Sequence, residues 1–211
     1  MLTLGSCLLV GKGEHRECYI HPHKNHLCTK IATDAVGYRE MMREQAYYEK
    51  LQRRNISWSV LPKFHGSAET NLGPATVFDL IRDFDGEVSK NLKYYLSSAE
   101  RTGKNYTGLS RALSHLKETL LQERIIIRSL FARNILYKRI NLSEGILVII
   151  DDIGNSDFIP IANHIGFIAR KKILRKWHRF ESALLSIYQH NAWLHHALSK
   201  SLFDSELSGS V

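Results

Sequence analysis

The chain has 211 residues, 44% of them apolar and 24% charged, which suffices for a sizeable core and argues against wholesale disorder. Its 29 Lys and Arg against 21 Asp and Glu give a formal charge of +8 and a pI near 9.4. That balance favours an acidic partner (nucleotide phosphate, nucleic acid or an anionic membrane surface) without choosing among them. No apolar run approaches the ~18 residues a membrane span needs.

The length suits one domain, or one domain of two lobes, better than two independent ones. Cysteines stand only at Cys7, Cys18 and Cys28, without framework spacing, so reduced thiols and a cytoplasmic setting are expected. Leu4-Gly5-Ser6-Cys7 is faintly like a lipoprotein cleavage site, but the basic leader and long apolar stretch such a site needs are missing, so these residues are read as mature protein.

Residues 1–35 read as short strands broken by turns, with apolar or β-branched runs at residues 7–10 and 27–32 flanking Gly11-Lys12-Gly13 and a turn at Pro22. From about Gly37 to Arg54 the period becomes helical, placing Met41, Glu44, Tyr47, Tyr48 and Leu51 on one arc. An inward carboxylate there is costly unless paired. On the strand before it, Cys28 and Lys30 face one way and Leu27, Thr29 and Ile31 the other, so Lys30 is a candidate partner for Glu44, with Glu40 one turn earlier as the fallback. Two glycines in a turn, a lysine snorkelling from a strand and a carboxylate at the edge of an apolar stripe explain the same residues without any site.

Gly73-Pro74 reads as a turn into a strand from Ala75 to Ile81, and the polar Arg82-Asp83-Phe84-Asp85-Gly86 that follows marks a lobe boundary. A helix is expected from about Leu109 to Glu123, then runs at 124–136 and 145–150, and a last helical region from about Ile165 to Ser199. Asn134 precedes a strand-like Ile135-Leu136, and Asp151-Asp152-Ile153-Gly154 closes the apolar run at 147–150. Amide and carboxylate oxygens suit Mg²⁺, which takes one or two protein groups plus phosphate oxygens. Asp-Asp-x-Gly at a strand end is equally an ordinary turn.

In order, these elements resemble the protein-kinase signature set of Gly-rich loop, strand lysine, helix glutamate, loop asparagine and Asp-x-Gly. The nearest resemblance is to the YrbL family, named for the PhoP regulatory network of bacteria and built on a kinase-like fold. It spans roughly residues 8–180 and includes Cys18-Tyr19, Pro62-Lys63-Phe64-His65-Gly66 and Phe84-Asp85-Gly86. The resemblance implies an α+β, two-lobed fold: a small antiparallel-sheet N-lobe with one helix (about residues 1–81) and a shortened, mainly helical C-lobe (about 82–211). It implies ATP, or another nucleoside triphosphate, and Mg²⁺ held between the lobes. Gly11 and Gly13 would cover the phosphates, Lys30 would contact them and Glu44 would orient Lys30. Cys28 would roof the base beside a hinge containing Phe78, Asp79 and Ile81. Asn134 with Asp151, ranked first, or Asp152 would hold metal.

Three departures bear on activity. Arg16 stands where the third loop glycine would be, Ile127 and Ser129 replace the catalytic-loop His and Asp, and no Ala-Pro-Glu follows Gly154. Serine is no general base near neutral pH, so a pseudokinase or slow atypical kinase with a regulatory role is expected, its protein or small-molecule acceptor undefined. A rival reading starts from Lys171, Lys172, Arg175, Lys176 and Arg179, which share one arc of the last helix opposite Ile173, Leu174, Trp177, Phe180, Leu184 and Tyr188. That face would make the chain a basic adaptor for nucleic acid or an acidic protein, with a vestigial nucleotide site.

Overall fold

The computed structural model describes residues 1–154 and 166–198. The chain divides into two compact units, Met1–Arg82 and Asp83–Val211.

The first unit is built on a five-stranded antiparallel sheet of β1 (Leu9–Lys12), β2 (Arg16–His21), β3 (Lys24–Ala32), β4 (Phe64–Thr70) and β5 (Gly73–Asp79), in the order β1-β2-β3-β5-β4. Gly73-Pro74, read from sequence as a turn before the strand, lies inside β5, where Pro74 pairs with Glu69 at the strand's beginning. The sheet packs on both faces. On one, Tyr19, Ile31 and Ala75 are covered by Leu4, whose N–H donates to Asn71 Oδ1 at 2.7 Å and so clips the N-terminal segment to the β4–β5 turn. On the other lie Cys28 and Phe78, directly opposite one another in register, and Lys30 and Thr76 likewise.

Helix α1 (Ala35–Arg53) packs on that second face. Asp34 caps it by accepting from the Gly37 N–H at 2.8 Å. Its buried side is Gly37, Met41, Glu44, Tyr47, Tyr48 and Leu51, the arc that the 3.6-residue period predicts. Tyr48 meets Phe78 edge-on at 4.9 Å between centroids and stacks on Trp58 at 5.9 Å, so aromatic packing fixes the helix to β5. Gly37 is required by close approach: a Cβ there would lie 2.0 Å from the His15 carbonyl oxygen.

The second unit contains α2 (Leu92–Leu96), α3 (Ala99–Lys104), α4 (Tyr106–Gln122), a hairpin of β6 (Ile135–Arg139) and β7 (Gly145–Ile149), α5 (Gly166–Ile187) and a further helical segment at 192–198. The two short helices α2 and α3 escape the sequence reading because five or six residues are too few to show a period. The expected last helix breaks at residues 188–191, where the buried Asn191 donates to Leu96 O at 3.0 Å and to Thr102 Oγ1 at 2.8 Å; residues 165 and 199 lie outside the described residues. Fully buried Tyr137 fits against α4 and β7 because Gly108 and Gly145 present no Cβ to it, and burial pushes its phenol up to about 12. Among the described residues no helix is long and apolar enough to cross a membrane.

Candidate functional site

In the first unit the buried charges converge on Glu44. Alternation along β2 and β3 places Arg16, Cys18, Cys28 and Lys30 on the face that α1 covers, with Arg16 opposite Ala32 and Cys18 opposite Lys30. Lys30 Nζ stands 3.6 Å from Glu44 Oε1 and 4.7 Å from the centroid of the Phe78 ring. Arg16 Nη1 donates to Glu44 Oε2 at 2.6 Å. All three side chains are almost withdrawn from water, at 11% exposure for Arg16, 11% for Lys30 and 5% for Glu44. A carboxylate so placed survives only because it is paired. Between Lys30 and Phe78 on the same face, Thr76 Oγ1 is buried without a hydrogen-bond partner.

The loop before Arg16 folds back on itself and docks on the start of α1. Gly13 N–H donates to Arg16 O at 2.8 Å, Thr33 N–H donates to His15 O at 2.9 Å, and His15 Nδ1 lies 2.7 Å from Asp34 Oδ2. Gly11 and Gly13 themselves are exposed. The bond to Asp34 holds the His15 pKa above its ordinary 6.5, aided by the charges of Asp34, Glu14 and Glu40. A raised histidine pKa contributes stability that is complete below about 6.5 and is lost as pH rises through the folded-state value. The stability gap between wild type and His15→Gln in urea should therefore be wider near pH 6 than near pH 8. An equal gap at both would show that the pair does not titrate with folding.

Toward the end of β5, Phe78 is fully buried, Asp79 is half-buried and Ile81 is buried. The Asp79 carboxylate turns to β4, with Oδ1 2.7 Å from His65 Nε2 and Oδ2 accepting from Lys63 N–H at 3.1 Å. Asp79 O accepts from Cys28 Sγ at 3.6 Å. Cys18 lies on the same face, and its interaction with Cys28, together with burial, raises the Cys28 pKa well above the ordinary thiol value, while that of Cys18 is lowered. Cys28 is thus held as a neutral, apolar-like group.

In the second unit two loops are zipped together by backbone. Arg128 N–H donates to Asp152 O at 2.7 Å, Gly154 N–H to Ile126 O at 2.9 Å, and Ile150 N–H to Asn134 O at 2.9 Å. The apolar residues on either side dictate this, since Ile125, Ile126, Ile127, Ile135 and Ile149 are each at most 1% exposed. Their side chains anchor the loops while the polar residues turn outward. Asp152 has φ of 61°, a left-handed conformation that costs a non-glycine residue of order 1 kcal/mol or more and clusters at functional sites. Its Oδ1 accepts from Arg128 Nε at 3.0 Å and Nη2 at 2.8 Å, and its Oδ2 from Asn134 Nδ2 at 2.8 Å. Asp151 Oδ1 accepts from the Asp152 N–H at 2.6 Å.

Two adjacent carboxylates beside an amide fit a hard cation. Asn134 gives its N–H to Asp152, so its Oδ1 is the atom it would offer. Arg128 already neutralises Asp152 and would repel a second cation there. Ser129, half-buried, follows Arg128 directly. From Ile125 to Leu136 there is no Asp or Glu.

The basic stripe of α5 is only partly a surface. Lys172 is buried at 6% exposure and Lys176 Nζ donates to Arg128 O at 2.5 Å, whereas Lys171, Arg175 and Arg179 are exposed. Leu174, assigned from sequence to the apolar side, is 39% exposed. The continuous five-residue basic face is thereby corrected to three residues, because Lys172 and Lys176 lie at the edge of the stripe where Ala169, Ile173, Trp177 and Phe180 are buried.

Two further site features escape the sequence reading. Arg16 is legible only as a missing glycine until β2 is recognised as a strand whose face it shares with Cys18. Buried Asp83 accepts from Ser89 Oγ at 2.5 Å, Arg139 N–H at 3.0 Å and Arg139 Nε at 2.6 Å, so Phe84-Asp85-Gly86 belongs to a clasp on β6. Arg139 Nη2 also donates to Asp85 Oδ2 at 2.5 Å.

The sequence matches the family model described as PhoP regulatory network protein YrbL over residues 2–184. It is 38% identical over 182 residues to the YrbL proteins of Escherichia coli K12 and Shigella flexneri, covering 85% of this chain and 86% of each relative. Among solved structures it is similar to a kinase domain at 14% identity and a TM-score of 0.50, covering 72% of this chain and spanning about half, 51%, of that one. That likeness establishes the fold alone. The chain belongs to the YrbL family of PhoP regulatory network proteins and has an α+β, protein-kinase-like fold.

Proposed function

We propose that this chain binds ATP with Mg²⁺ and acts as a pseudokinase or slow atypical kinase with a regulatory role. The observation that carries the reading is the buried Lys30–Glu44 pair on the α1-covered face of the sheet, which holds an ammonium in place among largely buried neighbours. A fixed ammonium of this kind serves phosphate recognition, as a point charge. The second unit adds Asn134 and Asp151 as oxygen donors on loops held by backbone bonds. Bound there, Mg²⁺ would supply charge neutralisation at the phosphates. Ser129 and the carboxylate-free run around it put no carboxylate at the usual place of the proton acceptor, so binding without efficient transfer is the expected outcome.

Thermal unfolding with and without ATP and Mg²⁺ tests this. At ~100 times Kd a ligand stabilises by about 2.7 kcal/mol, a rise in Tm of roughly 5–10 °C for a chain of this size. Lys30→Ala and Asp151→Asn should each remove most of the shift. If saturating nucleotide moves wild type no further than Lys30→Ala, the reading is wrong.

A further inference from the structure

Lys30 is not the only cation that Glu44 holds. Arg16 occupies the first position of β2, at the root of the glycine-bearing loop, and its guanidinium makes the shorter contact, 2.6 Å to Oε2 against 3.6 Å from Lys30 to Oε1. Each oxygen of the Glu44 carboxylate therefore faces a different cation, and both cations stand on one face of the sheet. The backbone around Arg16 is fixed from three sides, by Gly13 N–H on its carbonyl, by the His15–Asp34 contact and by the close packing of His15 O on Gly37. Such a position aims a side chain reproducibly.

From this we infer that Arg16 is a second phosphate-binding cation, so that the loop recognises a polyphosphate through a guanidinium side chain where a third glycine would offer only backbone N–H groups. The inference rests on the nucleotide-binding reading above and deepens it by naming the ligand class: a nucleoside di- or triphosphate, discriminated from a nucleoside by Arg16 together with Lys30. A guanidinium has five N–H donors in a planar fork, so it can keep one on Glu44 while offering others to phosphate oxygens, which an ammonium cannot do with the same geometry. Glu44 then acts as the positioning residue of both cations. Charge-assisted bonds of this kind are shorter and about twice as strong as neutral ones.

The test is the ratio of adenosine to ATP dissociation constants, measured by calorimetry with Mg²⁺ present for wild type, Arg16→Gln, Arg16→Lys, Arg16→Gly and Lys30→Ala. A ratio is insensitive to a uniform loss of folded protein, and Arg16→Lys keeps a cation for Glu44, which keeps the test falsifiable should Arg16→Gln unfold. Arg16→Gln should lower ATP affinity ~10- to 100-fold, the worth of one hydrogen bond to a charged group, with adenosine affinity unchanged, and Arg16→Lys should recover part of the loss. Equal ratios for wild type and Arg16→Gln, alongside a collapsed ratio for Lys30→Ala, would overturn the role of Arg16 and leave the nucleotide site standing. Tighter ATP binding by Arg16→Gly or Arg16→Gln than by wild type would also overturn it, by showing that Arg16 plugs the site. Absence of ATP binding in every protein would sink both readings together.

Discussion

Ser129→Asp is expected to raise metal-dependent ATP turnover, with a ceiling of roughly 10²- to 10⁴-fold, the range for one well-placed general base. Ser129 lies between Arg128, whose N–H, Nε and Nη2 all engage Asp152, and Leu130, which is buried. Its backbone is therefore fixed on both sides, and a carboxylate at this position inherits a defined place. Phosphoryl transfer depends mostly on positioning and electrostatics, so the site needs only an acceptor-orienting carboxylate to gain rate. Neighbouring Arg128 would hold the new carboxylate ionised and so competent as a base. Release of radiolabelled phosphate by wild type and Ser129→Asp, with Asp151→Asn as the blank, measures the gain. Robust transfer by the wild type that Asp151→Asn eliminates would refute the pseudokinase reading, since another group would then be serving as base.

Arg139→Ala should destabilise the protein by about 3 kcal/mol, the lower end of the range for breaking a buried ion pair. The Asp83 side chain is only 3% exposed, and Arg139 Nε is its charged partner at 2.6 Å. The Ser89 hydroxyl and the backbone N–H of residue 139 remain in the variant and satisfy part of the carboxylate. Arg139 is 27% exposed, which further tempers the loss. Urea unfolding should show a lower midpoint with an unchanged slope. Adding Asp83→Asn to Arg139→Ala should restore part of the stability, because the stranded charge and not the lost contact is the main penalty. If Asp83→Asn adds its own full loss instead, the clasp is held by packing around Phe84 and Tyr137.

Sequence periodicity by itself determined much of the scaffold. The arc of Met41, Glu44, Tyr47, Tyr48 and Leu51 names the buried side of α1, and the alternation in Leu27 to Ile31 puts Cys28 and Lys30 on one face of β3, because both patterns are local and each residue's neighbours impose them. The order of glycine loop, lysine, glutamate, asparagine and Asp-x-Gly likewise exposed the kinase-like architecture, and the absence of any Asp or Glu from Ile125 to Leu136 is visible without coordinates. Beyond the Lys30–Glu44 pair, what only the tertiary structure decided is which charges meet. Arg16 is 28 residues from Glu44, Arg128 is 24 from Asp152 and Arg139 is 56 from Asp83. No short-range pattern encodes those partners, since each pair depends on strand register and on where a helix packs. The basic arc of α5 shows the same limit: its charges are periodic in sequence, but the burial of Lys172 and the bond from Lys176 to Arg128 O follow from what the helix packs against.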